Sequence, residues 1–193
     1  EKLEKEILYN NEPEYLLCLY MGLRVGELCA LRWEDVDFEN RILHVRHAVH
    51  RIPAGSKIYS TKLVLGVPKS EASIRDIPLP DFLSAMLRNK KKSEQGTPKD
   101  FLFKGTKTEC RDPRTMQHKI RKLCCKLEIK DVHMHTLRHT FATRCLEKGV
   151  QYEVLSEFLG HSSPQITLRH YAHCTPETKR LNIERIVPCS MTT

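Results

Sequence analysis

The chain has 193 residues and a formal net charge of +8 at pH 7, with 40% hydrophobic and 29% charged residues. That balance supplies a core for one globular domain and excludes an intrinsically disordered chain. No apolar run approaches the roughly twenty residues of a membrane span. No signal-like segment follows Glu1, so the expectation is an intracellular protein with no membrane partner.

In chain order, residues 12–20 carry Tyr15, Leu16, Leu19 and Tyr20 on a helix-like face, and Gly22 is placed to cap that helix. A second short helix is expected at 26–31, which sets Arg24 at the junction of the two. The period then changes to two: strands are expected at 41–46, 57–64 and 74–79, with a turn at 53–56. One small antiparallel sheet is the natural product, and Pro78 suggests an edge position. Asp81 is a candidate N-cap for a helix over 82–92, and the polar run 90–99 reads as a loop or an exposed end. Helical spacing returns at 113–127, 136–148, 152–159 and 164–171, and a last helix is expected at 176–186. The fold class is α+β: mainly α-helical with a small antiparallel β-sheet, and no internal repeat.

The basic excess suits a polyanionic partner, nucleic acid above all, without specifying one. The eight cysteines form no CxxC pair, and adjacent Cys124 and Cys125 suit neither a zinc knuckle nor a disulfide framework. Reduced thiols are expected, and no metal or other cofactor.

Several residues are set where phosphate chemistry would need them. Arg24 lies among glycines and apolar residues in Gly22-Leu23-Arg24-Val25-Gly26-Glu27-Leu28. Arg138 lies in His135-Thr136-Leu137-Arg138-His139, three residues after His135 and on the same helix face. A planar guanidinium grips two phosphate oxygens at once, and two of them can neutralise the charge of a phosphorane-like transition state. The plain alternative is an ion pair for each arginine, with Glu27 available to Arg24. His161 follows Gly160 at a helix end, and Tyr171 lies ten residues beyond it. A free phenol ionises near pH 10, so a tyrosine nucleophile needs a base or a strong cationic field.

These segments together resemble the boxes of the tyrosine recombinases, the integrases of phages and conjugative transposons. His135-Thr136-Leu137-Arg138-His139-Thr140-Phe141 is similar to their His-x-x-Arg box. Leu159-Gly160-His161, then Thr167 and Tyr171, is similar to their Leu-Gly-His box and nucleophile. Residues 22–28 followed by 31–37 resemble the first arginine box, and 68–79 the hairpin that carries a lysine, here Lys69. Four boxes occur in order across roughly residues 14–171.

The resemblance implies that Tyr171 attacks a scissile phosphodiester to form a 3′-phosphotyrosyl link. Arg24, Arg138 and His161 would hold the phosphate, Lys69 would protonate the leaving 5′-oxygen, His135 would take or position the tyrosine proton, and Glu27 would orient Arg24. No metal or ATP is implied. The expected partner is double-stranded DNA. Arg46, Lys57, Lys62, Arg114, Lys119 and Lys122 would meet its phosphates or else form a solvated basic face. The resemblance further implies a homo-oligomer, a tetramer of the full-length protein on DNA, with accessory DNA-bending proteins as further partners. It also implies a cytoplasmic, DNA-associated setting of bacterial or phage origin. Residues 1–193 read as the catalytic domain without the family's N-terminal core-binding domain, and 176–193 as a helix and tail that dock on a neighbouring subunit or else pack on their own. Three other readings stay open at this level: a type IB topoisomerase-like enzyme, a DNA-binding domain with a dead site, and a metal hydrolase built on His44, His47 and His50 or on His133, His135 and His139.

Overall fold

The run Pro13-Glu14-Tyr15-Leu16-Leu17-Cys18-Leu19 is apolar on nearly every side, and a helix of that kind belongs at the centre of a domain. The computed structural model, which describes residues 1–55, 61–68, 71–106, 108–163 and 165, places it there. Helix α2 (Pro13–Met21) opens on a proline, whose missing N–H costs nothing in a first turn, and fully buries Leu16, Leu17, Cys18 and Met21. Around it pack α1 (Lys2–Tyr9), α3 (Val25–Ala30), α4 (Asp81–Glu94) and α6 (Met134–Glu147). Two further helices, α5 (Pro113–Lys126) and α7 (Tyr152–Leu159), complete the helical set among the described residues.

The extended segments form two sheets instead of the single one expected. Strands β1 (Val36–Asp37), β2 (Ile42–Val45) and β5 (Arg75–Pro78) make an antiparallel sheet in the order β1-β2-β5, with Leu43 opposite Ile77 on the buried side. Pro78 does lie on an edge strand. At Arg46–His47 the chain leaves this ladder, and β3 (Ala48–Pro53) pairs with β4 (Thr61–Gly66) as a separate hairpin. The strand expected at 57–64 is therefore seen at 61–66, and residues 56–60 lie outside the described residues. Its partner β3 was not expected because its burial does not alternate: the first two residues are buried and the last two exposed.

Three local features lie outside the expected pattern. Helix α1 buries only Ile7, so the apolar core holds it weakly. It is held instead by charge: Arg144 grips Glu4 through both nitrogens (3.0 and 2.7 Å), the Tyr20 hydroxyl bonds the same carboxylate, and Lys2 reaches the Leu127 carbonyl at 2.8 Å. Asp81 is the first residue of α4 and not its cap; Pro80 precedes the helix, and the Asp81 carboxylate pairs with Arg41. Helix α4 runs past the expected residue 92 to Glu94, and the polar residues 95–99 that follow are non-helical, as a loop would be. Lys91 lies over Trp33 and Phe38 (5.9 and 5.5 Å), so lysines that look solvated in sequence cover aromatic rings. The helices expected at 113–127, 136–148 and 152–159 match α5, α6 and α7 within two residues. Those expected at 164–171 and 176–186 fall outside the described residues, apart from Gln165.

Gly22 ends α2 in the left-handed conformation (φ 66°), its N–H bonding the Cys18 carbonyl at 3.1 Å. A Cβ there would stand 2.5 Å from the Phe141 ring of α6. Gly22→Ala combines a strained φ with a core overlap, and is expected to lower stability by about 2–4 kcal/mol in urea denaturation; a loss below about 0.5 kcal/mol would contradict this account of the α2–α6 contact.

Candidate active site

Helix α7 ends in a left-handed turn at Gly160 (φ 60°), with His161 N–H bonded to the Ser156 carbonyl (3.0 Å) and Gly160 N–H to Glu157 (2.9 Å). The carbonyls of Phe158, Leu159 and Gly160 then point out of the helix end, where orphan acceptors and the negative pole of the helix dipole coincide. Three arginines from three other elements occupy them. Arg75 of β5 donates Nε to Phe158 at 2.7 Å, Arg138 of α6 donates Nη2 to Leu159 at 2.6 Å, and Arg24 donates Nη2 to Gly160 at 3.3 Å. Gly160 is tightly enclosed as well: a Cβ would lie 2.9 Å from Arg75 Nη1 and 3.0 Å from the Ala72 carbonyl.

Arg24 stands between α2 and α3. Its side chain is 39% exposed, the most open of the three guanidinium groups. Beneath it Glu27, 2% exposed, accepts Arg24 Nη1 (2.7 Å) and the Arg24 backbone N–H (2.9 Å), and also Arg75 (2.9 Å to Nη2). Burial works against a charge on Glu27, but the charge and hydrogen bonds of Arg75, joined by those of Arg24, outweigh it and hold the carboxyl below its usual range. Two guanidiniums against one carboxylate leave a net positive charge at the surface.

Arg138 is 2% exposed and also donates Nη1 to the Gly22 carbonyl at 2.6 Å, which ties α6 to the end of α2. Its Nη2 lies 3.1 Å from His161 Nε2. A guanidinium only donates, so this bond places the His161 lone pair on Nε2 and its proton on Nδ1. His135, one turn before Arg138 on α6, is exposed; partial burial, then the charges of Arg138 and its neighbours out to Arg24, push its pKa below the usual imidazole value. The imidazole is thus mainly neutral near pH 7 and able to accept a proton.

The structure thus brings Arg24, Glu27, Arg138 and His161 together and sets His135 within their field. Lys69, Tyr171 and Lys57 lie outside the described residues. Of the other basic candidates, Arg114 lines a cleft of about 390 Å³ with His50, Arg51 and Gln117. That cleft shares Gly26, Val49 and His50 with one of about 360 Å³ lined by Arg24, Glu27 and Ser73. Lys119 lines a separate hollow with Lys104 and Arg111. Arg46, Lys62 and Lys122 are exposed at the end of β2, on β4 and on α5.

Sequence reading gave Arg75 no role. The available signal was its position two residues before the buried Ile77 in a period-2 strand, a charge on an inward face. The histidine trio does not gather: His44 pairs with Asp76 at 2.6 Å on the three-stranded sheet, while His50 lies on the hairpin by the cleft. Among the described residues no group of three or more His, Cys, Asp and Glu is placed to hold a metal ion, and no helix is long and apolar enough to cross a membrane. The six described cysteines, Cys18, Cys29, Cys110, Cys124, Cys125 and Cys145, carry free thiols.

A mainly helical domain with small antiparallel sheets and this arginine–histidine face has the architecture of a tyrosine recombinase catalytic domain. The model of the phage integrase family matches residues 9–178, and the chain belongs to that family. A XerC-like tyrosine recombinase of Caldanaerobacter subterraneus subsp. tengcongensis is 31% identical over 188 residues, covering 89% of this chain and 48% of that protein. The transposase of transposon Tn916 from Enterococcus faecalis is 29% identical, covering 91% of this chain and 46% of the transposase. The integrase of transposon Tn1549, solved in complex with transposon right-end DNA, superposes with a TM-score of 0.80 at 26% identity, over 96% of this chain and 63% of that one. The chain spans about half the length of the curated relatives it matches.

Glu27→Gln keeps the volume but leaves Arg75 and Arg24 facing a neutral amide, and is expected to cost about 3 kcal/mol, as for breaking a buried pair. A carboxyl whose folded pKa is depressed contributes stability above its unfolded pKa and loses it as pH falls through the folded value. Wild-type stability should therefore decline below about pH 4.5, and Glu27→Gln should flatten that decline. Urea denaturation from pH 7 to pH 3 checks both, and parallel pH profiles would overturn the assignment.

Proposed function

We propose that this chain is the catalytic domain of an enzyme that breaks and rejoins DNA at specific sites through a tyrosine, as in integration or excision of a mobile element. The observation that carries the reading is the gathering of Arg24, Arg138 and His161 at the end of α7, two cations and an imidazole joined by hydrogen bonds to one helix end and to each other. Membership of the phage integrase family and the likeness to an integrase solved on transposon-end DNA support it.

The Tyr171 oxygen bonds to phosphorus as the bond to the 5′-oxygen breaks. His135 takes the phenol proton, and Lys69 gives a proton to the departing oxygen. Arg24 and Arg138 neutralise the non-bridging oxygens, and His161 donates from its protonated nitrogen. Glu27 orients Arg24. The phosphotyrosine conserves the energy of the broken ester, so ATP is not needed. The cationic groups supply the charge neutralisation that a metal provides elsewhere. A 5′-hydroxyl of a partner strand reverses the step and completes the exchange.

Binding runs along the cleft from Arg24 past His50 and Arg51 to Arg114, with Arg46, Lys57, Lys62, Lys119 and Lys122 as further phosphate contacts, so affinity falls steeply with salt. The whole protein acts as a tetramer on DNA in the cytoplasm, residues 176–193 docking on the neighbouring subunit and accessory DNA-bending proteins joining the assembly.

The test is a nicked duplex, selected by this protein from a randomised DNA pool, that releases a short strand on cleavage and traps the adduct. Wild type should give a covalent protein–DNA band in EDTA and without ATP, and Tyr171→Phe none; an adduct formed by the Phe variant would overturn the nucleophile assignment. The single-turnover rate should keep its acid limb below pH 6.5, the ordinary imidazole value, and His135→Asn should remove that limb. An acid midpoint above 6.5 would remove His135 from the role of base.

A further inference from the structure

Arg75 takes no part in the chemistry assigned above, yet its side chain is 6% exposed against 39% for Arg24. It makes four hydrogen bonds: Nε to the Phe158 carbonyl (2.7 Å), Nη1 to the Ser73 carbonyl (3.0 Å) and Glu27 Oε1 (3.2 Å), and Nη2 to Glu27 Oε2 (2.9 Å). Arg24 grips the same two bodies. Its Nη1 meets Glu27 Oε1 at 2.7 Å, its backbone N–H meets Oε2 at 2.9 Å, and its Nη2 meets the Gly160 carbonyl at 3.3 Å. Strand β5 and the α3 entrance are thus locked to one carboxylate and one helix end.

We infer that Arg75 is a positioning residue for DNA cleavage, balancing Glu27 and fixing the end of α7 so that Arg24 faces the phosphate with its charge unspent. With Arg75 present, the single negative charge of Glu27 is matched from below, and the unit charge of Arg24 is left for an anion. Without it, Arg24 is the counter-ion of a buried carboxylate and is drawn inward. A lysine restores the charge but not the fork: a point donor does not span both Glu27 oxygens and the Phe158 carbonyl. The inference rests on the reading of Arg24 as a phosphate clamp.

The experiment uses the full-length protein and the nicked duplex described above, in two versions: an ordinary scissile phosphate, and a methylphosphonate in which one non-bridging oxygen is replaced by a methyl group. The methylphosphonate is neutral, so cleavage of it depends less on the Arg24 charge. Arg75→Lys and Arg75→Met are compared with wild type for DNA affinity and for single-turnover adduct formation, with folding followed by circular dichroism. The expected result is affinity within about threefold of wild type and cleavage slowed about 10- to 100-fold on the phosphate, as for a misplaced catalytic group. On the methylphosphonate the deficit should shrink by about tenfold or more. Full cleavage rate in both variants overturns the inference. So does an equal deficit on both substrates, or failure of both variants to fold, since each makes Arg75 a purely structural residue. No adduct with wild-type protein would overturn the clamp reading itself, a result distinct from an Arg75 variant that keeps its rate.

Discussion

Three carbonyl oxygens at the end of one short helix hold the candidate site together. Any helix leaves its last carbonyls unpaired and its C-terminus partly negative. In α7 these acceptors are met by guanidinium groups from β5, α6 and the α2–α3 junction. Each arginine ties a different part of the fold to the same point. The contact between α6 and the end of α2, through Arg138 and the Gly22 carbonyl, extends the linkage to the central helix.

The electrostatics have the same origin. Glu27 is the buried carboxylate beneath Arg24 and Arg75, and its desolvation is tolerable because two cations flank it. The group as a whole stays positive, and the excess lies on Arg24, the most exposed member. Burial anchors Arg75 and Arg138, while exposure leaves Arg24 able to meet solvent. The three arginines are chemically alike and differ in depth: Arg24 is open to solvent, whereas Arg75 and Arg138 are buried against the helix end.

Much of this was legible in the sequence. The α2 helix, its glycine cap and the Arg24 junction came from periodicity and backbone chemistry. The placing of His135 one turn before Arg138 on one helix came from helical spacing. Glu27 beneath Arg24 followed from a three-residue offset. What was not legible has identifiable causes. Helix α1 is held by Glu4–Arg144 and Lys2–Leu127, contacts across more than 120 residues that no local pattern signals. The second sheet was hidden because burial along β3 falls from one end to the other without alternating. Arg75 was overlooked because its partners, Glu27 and Phe158, lie 48 and 83 residues away, and only the fold brings them together.

The eight residues of α7 also act as a gauge of length. Each residue added or removed within a helix turns the downstream chain by about 100° and shifts it by about 1.5 Å. A single insertion between Tyr152 and Leu159 would swing all three carbonyls away from their arginines together, and Gly160 with them. The loop from Lys104 to Cys110, closed by a bridge between those two residues, supplies none of the three arginines. A change of length is therefore costly within this one two-turn helix, whose register serves three separate parts of the chain.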